Sequence, residues 1–227
     1  MEKLNPVGQL AKYYQSQPIV QALVNAIPIC GGSLDTLLNA RAEEIAKERT
    51  TEFFDELSEG SIELTEEIIQ SEDFIHRWVI TAKVAVNTRR REKIRLFARL
   101  LKSSFLSDTS VTTDEYEEYL SILDELSYRE FLVLSTLERY EREFPPSENE
   151  NELQKANQFW EKFVSEVKQE LDLTFDEVQA MLTRLNRTGC YETIVGMYLG
   201  YKGGRGKLTA TYFRLKKLLD TASNTIT

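Results

Sequence analysis

Residues 173–219, LTFDEVQAMLTRLNRTGCYETIVGMYLGYKGGRGKLTATYFRLKKLL, decide how the C-terminal part of this chain folds. The stretch opens with Thr174-Phe-Asp-Glu177, a capping box that predicts the start of a helix. Gly189 predicts the end of that helix, and residues 191–201 favour a strand. The remaining predicted elements are a glycine-rich tip, a return strand and an amphipathic helix, at residues 202–206, 207–209 and 210–219. This order is typical of the second half of a winged helix.

Two further helices are predicted immediately upstream of this stretch. Ser127-Tyr-Arg-Glu130 is a second capping box, and a helix with apolar residues at helical spacing ends near Leu171. A polar, proline-bearing loop at 144–151 separates them, and the short turn at 172–174 leads into the next helix. Three helices followed by a hairpin and a helix predict a winged-helix-like domain over residues 121–227.

The N-terminal part is predicted to be entirely helical. Ser33 caps a helix whose apolar residues recur at helical spacing through Leu57, and Gly60 ends it. A short helix is expected near 64–70, and a capping box at Thr112-Thr-Asp-Glu115 predicts another helix. The fold class is therefore mainly α: an N-terminal helical bundle over residues 1–120, followed by the winged-helix-like domain with its small β-hairpin.

One long helix is predicted over about residues 71–105. Ser71-Glu-Asp73 supplies a cap and first-turn carboxylates, which suit the positive end of the helix dipole. Its apolar residues are Phe74, Trp78, Ala82, Ala85, Ile94, Phe97, Ala98 and Leu101. We expect the Trp78 and Phe97 face to pack against the helix that ends near Leu57.

The most apolar stretch, residues 19–30, is too short to span a bilayer. It favours a short buried helix with a tight corner at Pro28 and Gly31-Gly32; insertion into a membrane surface is the alternative. Two cysteines without metal-ligand spacing, and an N-terminus without the order of a signal peptide, favour a reduced, cytoplasmic compartment.

Charge is unevenly distributed along the chain. The net charge is −9, and residues 108–172 carry 6 basic and 18 acidic groups, a net of −12. Residues 173–219 carry 8 basic and 3 acidic groups, a net of +5. The second half of the 71–105 helix is also basic. Its arginines favour a solvated face or a partner for the acidic segment, with phosphate contact as the alternative.

No residue pattern predicts catalysis, a cofactor or a metal. His76 is the single histidine, and Cys30 lies between apolar residues with no histidine base nearby in sequence. The glycine run at 200–206 lacks the Gly-Lys-Ser/Thr ending of a phosphate loop and lies between two predicted strands. We therefore predict a non-enzymatic protein without a small-molecule substrate.

The predicted third helix and wing supply the candidate contact residues for DNA or a protein partner. These candidates are Gln179, Thr183, Arg184, Arg187, Lys202, Arg205 and Lys207. Arg184 and Gln179 have side chains that pair with guanine and adenine edges, and the wing cations suit phosphates. Against DNA, Asp176 and Glu177 lie where this helix would meet the duplex. Two functions stay open: a protein-interaction or regulatory module, and a DNA-binding regulator.

Three stretches in order resemble the abortive-infection alpha proteins, helical bacterial proteins linked to phage exclusion. They are IPICGGSLDTLL at 27–38, REKIRLFARLL at 91–101 and LDELSYREFLVL at 123–134. The resemblance covers most of residues 25–140 and brings no catalytic residues with it. It implies a bacterial or phage origin and a role in phage defence. A protein partner or self-association is expected, DNA remains open as a partner, and no membrane association is expected.

Overall fold

The structure is a computed structural model that describes residues 36–58, 68, 71–105, 111–145, 150–195 and 204–221. Within these ranges the chain forms eight helices and one two-stranded antiparallel sheet, so the predicted fold class is confirmed. The helices are α1 (Thr36–Ser58), α2 (Glu72–Asn87), α3 (Arg91–Ser103), α4 (Thr113–Glu125), α5 (Tyr128–Glu143), α6 (Glu152–Leu171), α7 (Phe175–Arg187) and α8 (Ala210–Thr221). The strands are β1 (Tyr191–Thr193) and β2 (Gly206–Leu208).

The described residues divide into two compact units. The first includes those up to Leu123 together with those from Lys217 onward, and the second is Asp124–Lys216. Compactness alone does not define a domain that folds by itself. The domain ranges 1–120 and 121–227 therefore stay predictions.

The prediction of a single helix over about residues 71–105 is wrong, because the helix is interrupted between α2 and α3. Thr88 has extended backbone angles (φ −91°, ψ 129°), and its N–H donates to the carbonyl of Ala85. Asn87 and Thr88 are weak helix formers, and three consecutive arginines follow from Arg89. The break lets the apolar faces of both halves pack on one neighbour, which a straight helix of about 50 Å would prevent.

That neighbour is α1, as the sequence predicted. The rings of Phe54 on α1 and Trp78 on α2 have their centroids 6.3 Å apart, and Phe97 on α3 is fully buried. Arg95 and Arg99 on α3 donate from Nε to carboxylates on α1 at 2.7 and 2.6 Å, namely those of Glu52 and Glu56. Arg95 and Arg99 therefore pair with carboxylates of α1.

A buried arginine joins α2 to the start of α4 in the same unit. Arg77 donates to the carbonyls of Ser104 (3.3 Å) and Val111 (3.0 Å). Its guanidinium carbon lies 4.9 Å from the ring centre of Phe105 and 5.2 Å from that of Tyr116. Carbonyl oxygens and aromatic faces thus stabilise the buried charge.

In the second unit, each helix begins where a capping residue satisfies its first N–H groups. The boxes predicted at Ser127 and Thr174 are present, as is the one at Thr112 in the first unit. A further box, Asn151 with Gln154, opens α6 and was not predicted. Asp172 takes a left-handed conformation (φ 50°) between α6 and α7, so the two helices join through a three-residue turn.

The hairpin is antiparallel, with Tyr191 opposite Leu208 and Thr193 opposite Gly206. Gly189 has a φ of +71°, which favours glycine and explains the sharp exit from α7. Gly206 is required for a different reason. A Cβ at this position would lie 2.1 Å from the Tyr191 ring, so the strands approach closely only with glycine there.

Several predictions fall on parts of the chain outside the described residues. They concern the corner at Pro28 and Gly31-Gly32, the cap at Ser33, Cys30, the short helix near 64–70 apart from Ile68, Lys202, and strand residues 196–201. Among the helices that are described, none combines the length and the apolar character needed to cross a membrane.

Candidate interaction surface

The candidate surface is built on α7, which buries one side and exposes the other. Its buried side chains are Val178, Met181, Leu182 and Leu185. The opposite side carries an exposed stripe at helical spacing, formed by Asp176, Ala180, Thr183 and Arg187. Acidic residues lie in the first turn and basic residues in the last, as the helix dipole favours. Of the predicted contact residues on this helix, Thr183, Arg184 and Arg187 are exposed, and Gln179 is half-buried.

Arg184 is engaged by a buried carboxylate. Its Nε donates to Oε1 of Glu130 at 3.1 Å, while Oε2 of the same carboxylate accepts the backbone N–H of Ser127 at 2.9 Å. Burial would raise the pKa of Glu130, but the hydrogen bonds from Ser127 and Arg184 outweigh it and hold the pKa below its usual value. Arg184, the arginine predicted to contact a base, therefore hydrogen-bonds to the glutamate of the α5 capping box.

Arg187 also has a carboxylate neighbour, but a looser one. Its Nε lies 3.7 Å from Oε2 of Glu125, and both side chains are more than half exposed. An ion pair of this kind contributes little to stability and leaves the guanidinium open to other partners.

Gln179 and Thr183 occupy the middle of α7. Thr183 is exposed and donates from Oγ1 to the carbonyl of Gln179 at 2.9 Å. Gln179 is half-buried, and its Oε1 would lie 3.1 Å from a Cβ placed on Gly204. The side chain of Gln179 therefore lies against the backbone at Gly204, just before β2, whereas Thr183 is exposed to solvent.

The two predicted wing cations that the structure describes, Lys207 and Arg205, have different surroundings. The ammonium of Lys207 contacts Glu152 on α6 and lies 2.9 Å from Oε1 of Glu192 on β1. Hydrogen bonds to these two carboxylates, chiefly that of Glu152, raise the pKa of Lys207. Arg205 is half-buried, and its carbonyl accepts the N–H of Ile194 at 2.9 Å.

Two carboxylates of α5 attach the hairpin and α8 to the helices, and the sequence did not predict this role. Oε1 of Glu141 accepts the N–H of Leu208 at 2.9 Å, and Oε2 of Glu138 accepts the hydroxyl of Tyr212 at 2.8 Å. Burial raises the pKa of Glu141, against the lowering effect of the Leu208 hydrogen bond. The i,i+3 spacing of these glutamates on α5 was the available signal.

The other residues considered for chemistry are dispersed. Nε2 of His76 lies 2.7 Å from Oε1 of Glu117, and both side chains are about half exposed. Cys190 is buried, and burial raises the pKa of its thiol. Across the described ranges, His, Cys, Asp and Glu side chains form no group of three or more that could hold a metal ion.

Among the residues of the second unit that the structure describes, three large apolar side chains are exposed. They are Phe175 at 55%, Val195 at 96% and Phe213 at 47%. Exposed aromatic side chains are enriched at sites of protein recognition. The arrangement therefore offers a helix face with mixed charge, an aromatic side chain at one end, and a hairpin fixed at its base.

No protein-family model, curated protein or solved structure matches this chain. The resemblance to the abortive-infection alpha proteins stays a prediction.

Proposed function

We propose that this chain is a non-enzymatic recognition or regulatory protein that binds other proteins through α7 and the hairpin. The observation that carries the proposal is the pairing of cations on this surface with carboxylates of the same unit. Arg184 contacts Glu130, and Lys207 contacts Glu152 and Glu192. Duplex binding depends largely on cations that neutralise phosphates. Cations that already have carboxylate neighbours are poorly suited to that task.

The exposed apolar side chains support the same proposal. Phe175 on α7 supplies aromatic area of the kind that dominates binding energy at protein interfaces. The middle of α7 is uncharged, with exposed Ala180 and Thr183. The resemblance to proteins of phage exclusion adds a role in phage defence to this proposal, and the cysteine pattern adds a cytoplasmic location.

A DNA-binding regulator is the second candidate, and one specific observation favours it. The three-residue turn between α6 and α7, followed by β1 and β2, is the connection that a helix-turn-helix with a wing requires. In such a module α7 would enter the major groove. Exposed Arg184 would then be a side chain suited to pairing with a base edge.

A fluorescence-anisotropy titration against mixed-sequence duplex separates the two candidates. We expect no binding of the full chain at about 50 mM salt, where electrostatic contacts are strong. Micromolar binding that Arg184→Ala and Arg205→Ala abolish, and that Lys168→Ala leaves unchanged, would overturn the proposal in favour of DNA. Lys168 is a matched control because it is an exposed cation on α6 and not on α7.

The protein arm of the test uses a random peptide library displayed on phage and panned against the immobilised full chain. We expect enriched peptides to lose binding to Thr183→Glu and to keep binding to Lys168→Glu, which also adds negative charge to an exposed position. Peptides that bind Thr183→Glu as well as the unaltered chain would contradict recognition by α7.

A further inference from the structure

We propose that the exposed face of α7 binds the same face of a second copy of this chain, with the two helices antiparallel about a twofold axis. This inference rests on the proposed function, because it names the partner of the same surface. It is carried by the order of charges along the exposed stripe, which is complementary to itself only when one copy is reversed.

The stripe consists of four residues within a narrow sector of the helix. Asp176, Ala180, Thr183 and Arg187 follow the i, i+4, i+7, i+11 spacing that keeps side chains on one side, and all four are exposed. Their common midpoint falls between residues 181 and 182. Asp176 and Arg187 lie at equal distances from it, as do Ala180 and Thr183.

An antiparallel copy therefore meets this stripe with matching residues. A twofold axis at the midpoint places Asp176 opposite Arg187 of the second copy, and Arg187 opposite its Asp176. Ala180 then lies opposite Thr183, and these small side chains allow the helices to approach. A parallel copy would place like charges together, which is unfavourable.

Phe175 flanks this contact at each end. Its ring is 55% exposed although it begins a helix whose other large apolar side chains are buried. It precedes Asp176 by one position, about 100° round the helix, so it lies on the flank of the stripe and not within it. A reversed second helix brings its last turn to the same level, where Gly189 is exposed and the position of its Cβ has no neighbouring atom within 4 Å.

The looseness of the Arg187 ion pair makes this guanidinium available. Its distance of 3.7 Å to Glu125, with both side chains exposed, leaves room for a second carboxylate. The helix is about 20 Å long, so two copies bury less area than the ~1,200 Å² of the smaller stable complexes. We therefore expect a reversible dimer whose population rises with protein concentration.

Sedimentation equilibrium of the full chain over a concentration series tests the proposal with charge reversals. Asp176→Arg and Arg187→Glu each replace two attractive pairs with two repulsive ones, and should weaken dimerisation about tenfold. The double variant restores both pairs and should dimerise like the unaltered chain. An equimolar mixture of the two single variants should form heterodimers, because each supplies the charges that the other needs.

Matched controls carry the same charge changes at exposed positions of α6. Glu161→Arg and Lys168→Glu should dimerise like the unaltered chain. Circular dichroism checks that each variant keeps its helices. If Asp176→Arg loses helix content because it disturbs the first turn, Thr183→Lys provides the test, since it brings like charges together near the axis.

A monomeric chain at every concentration would overturn the inference, as would dimerisation that the charge reversals leave unchanged or a mixture that gives no heterodimer. These outcomes are separable from failure of the proposed function. Peptide panning and the DNA titration probe the α7 face of a chain that is immobilised or diluted to the monomer, so they give their result whether or not dimers form at higher concentration.

Discussion

Glu130 is a buried residue that both caps α5 and binds Arg184 of α7. We therefore expect its removal to lower the free energy of unfolding. The residue is 6% exposed. Its carboxylate accepts the Ser127 N–H at 2.9 Å and the Arg184 Nε–H at 3.1 Å. Glu130→Ala leaves both donors without this acceptor. A lost helix cap costs about 1 kcal/mol, and a lost hydrogen bond to a charged group about 1.5–3 kcal/mol.

The expected loss in the free energy of unfolding is therefore about 2–3 kcal/mol, since the two contributions overlap. Urea unfolding followed by circular dichroism measures it as a fall in the midpoint of about 1–2 M, given the usual slope for domains of this size. Glu130→Gln retains an acceptor for Ser127 and loses the charge beside Arg184, so it should lie between the alanine variant and the unaltered chain.

The pH dependence supplies an independent check on the same carboxylate. The pKa of Glu130 is lowered in the folded chain, so its ionised form adds stability above the unfolded pKa of about 4.3. That stability disappears as pH falls through the folded pKa. The deficit of Glu130→Gln should therefore be largest near neutral pH and should shrink below about pH 4.

Glu143→Ala is the matched control, because Glu143 lies on the same helix, is about half exposed and pairs with Arg139. We expect it to cost less than about 1 kcal/mol, as surface ion pairs do. If Glu130→Ala unfolds at the same urea concentration as Glu143→Ala, the carboxylate does not hold α5 and α7 in the way argued here.

Three further changes have defined outcomes. Phe97→Ala, at a fully buried position on α3, should lower the free energy of unfolding by about 3–5 kcal/mol, and urea unfolding equal to that of the unaltered chain would contradict the packing against α1. Gly206→Ala places a Cβ 2.1 Å from the Tyr191 ring and should lower the free energy of unfolding by about 1–3 kcal/mol. Asn186→Ala, at an exposed position, is the control, and equal urea midpoints for the two variants would refute the close approach of the strands. Glu141→Gln keeps an acceptor for the N–H of Leu208 and removes a carboxyl group whose pKa is raised on folding. Because the ionised carboxylate costs stability in the folded chain, the variant should be at least as stable as the unaltered chain near pH 7. The difference in the free energy of unfolding between the two chains should shrink as pH falls through the raised pKa. A variant less stable than the unaltered chain at neutral pH would contradict the cost of this buried charge.

The elements that the sequence predicted well are those whose signals are local. The box at Thr174, the spacing from Val178 to Leu185 and the glycine at 189 lie within one helix and its ends, and α7 has the bounds they predict. The same holds for the helix that opens at Ser127. Such signals act over a few residues, so the sequence alone contains them.

The break after Asn87 has a different origin and was missed. Apolar residues recur at helical spacing on each side of it, from Phe74 to Ala85 and from Ile94 to Leu101, and the prediction joined the two sets into one helix. The nine positions from Ala85 to Ile94 turn a continuous helix by about 900°, so the second set would face the opposite side. That change of side was a local signal of a break, as were the weak helix formers at 87–88 and the arginines after them. The advantage of breaking comes from α1, which packs against both α2 and α3 and so joins residues far apart in the sequence.

The candidate surface shows why the net charge of a segment is a poor guide to the charge of a surface. Residues 173–219 carry a surplus of cations, and residues 108–172 a larger surplus of carboxylates. Folding brings the two sets together: Arg184 contacts a glutamate 54 positions earlier in the chain, and Lys207 one that is 55 positions earlier. Three carboxylates of the acidic segment, those of Glu125, Glu130 and Glu152, therefore lie within 4 Å of cations of the basic one. A surface neutralised in this way retains its hydrogen-bonding and apolar groups, and these suit a protein partner better than a polyanion.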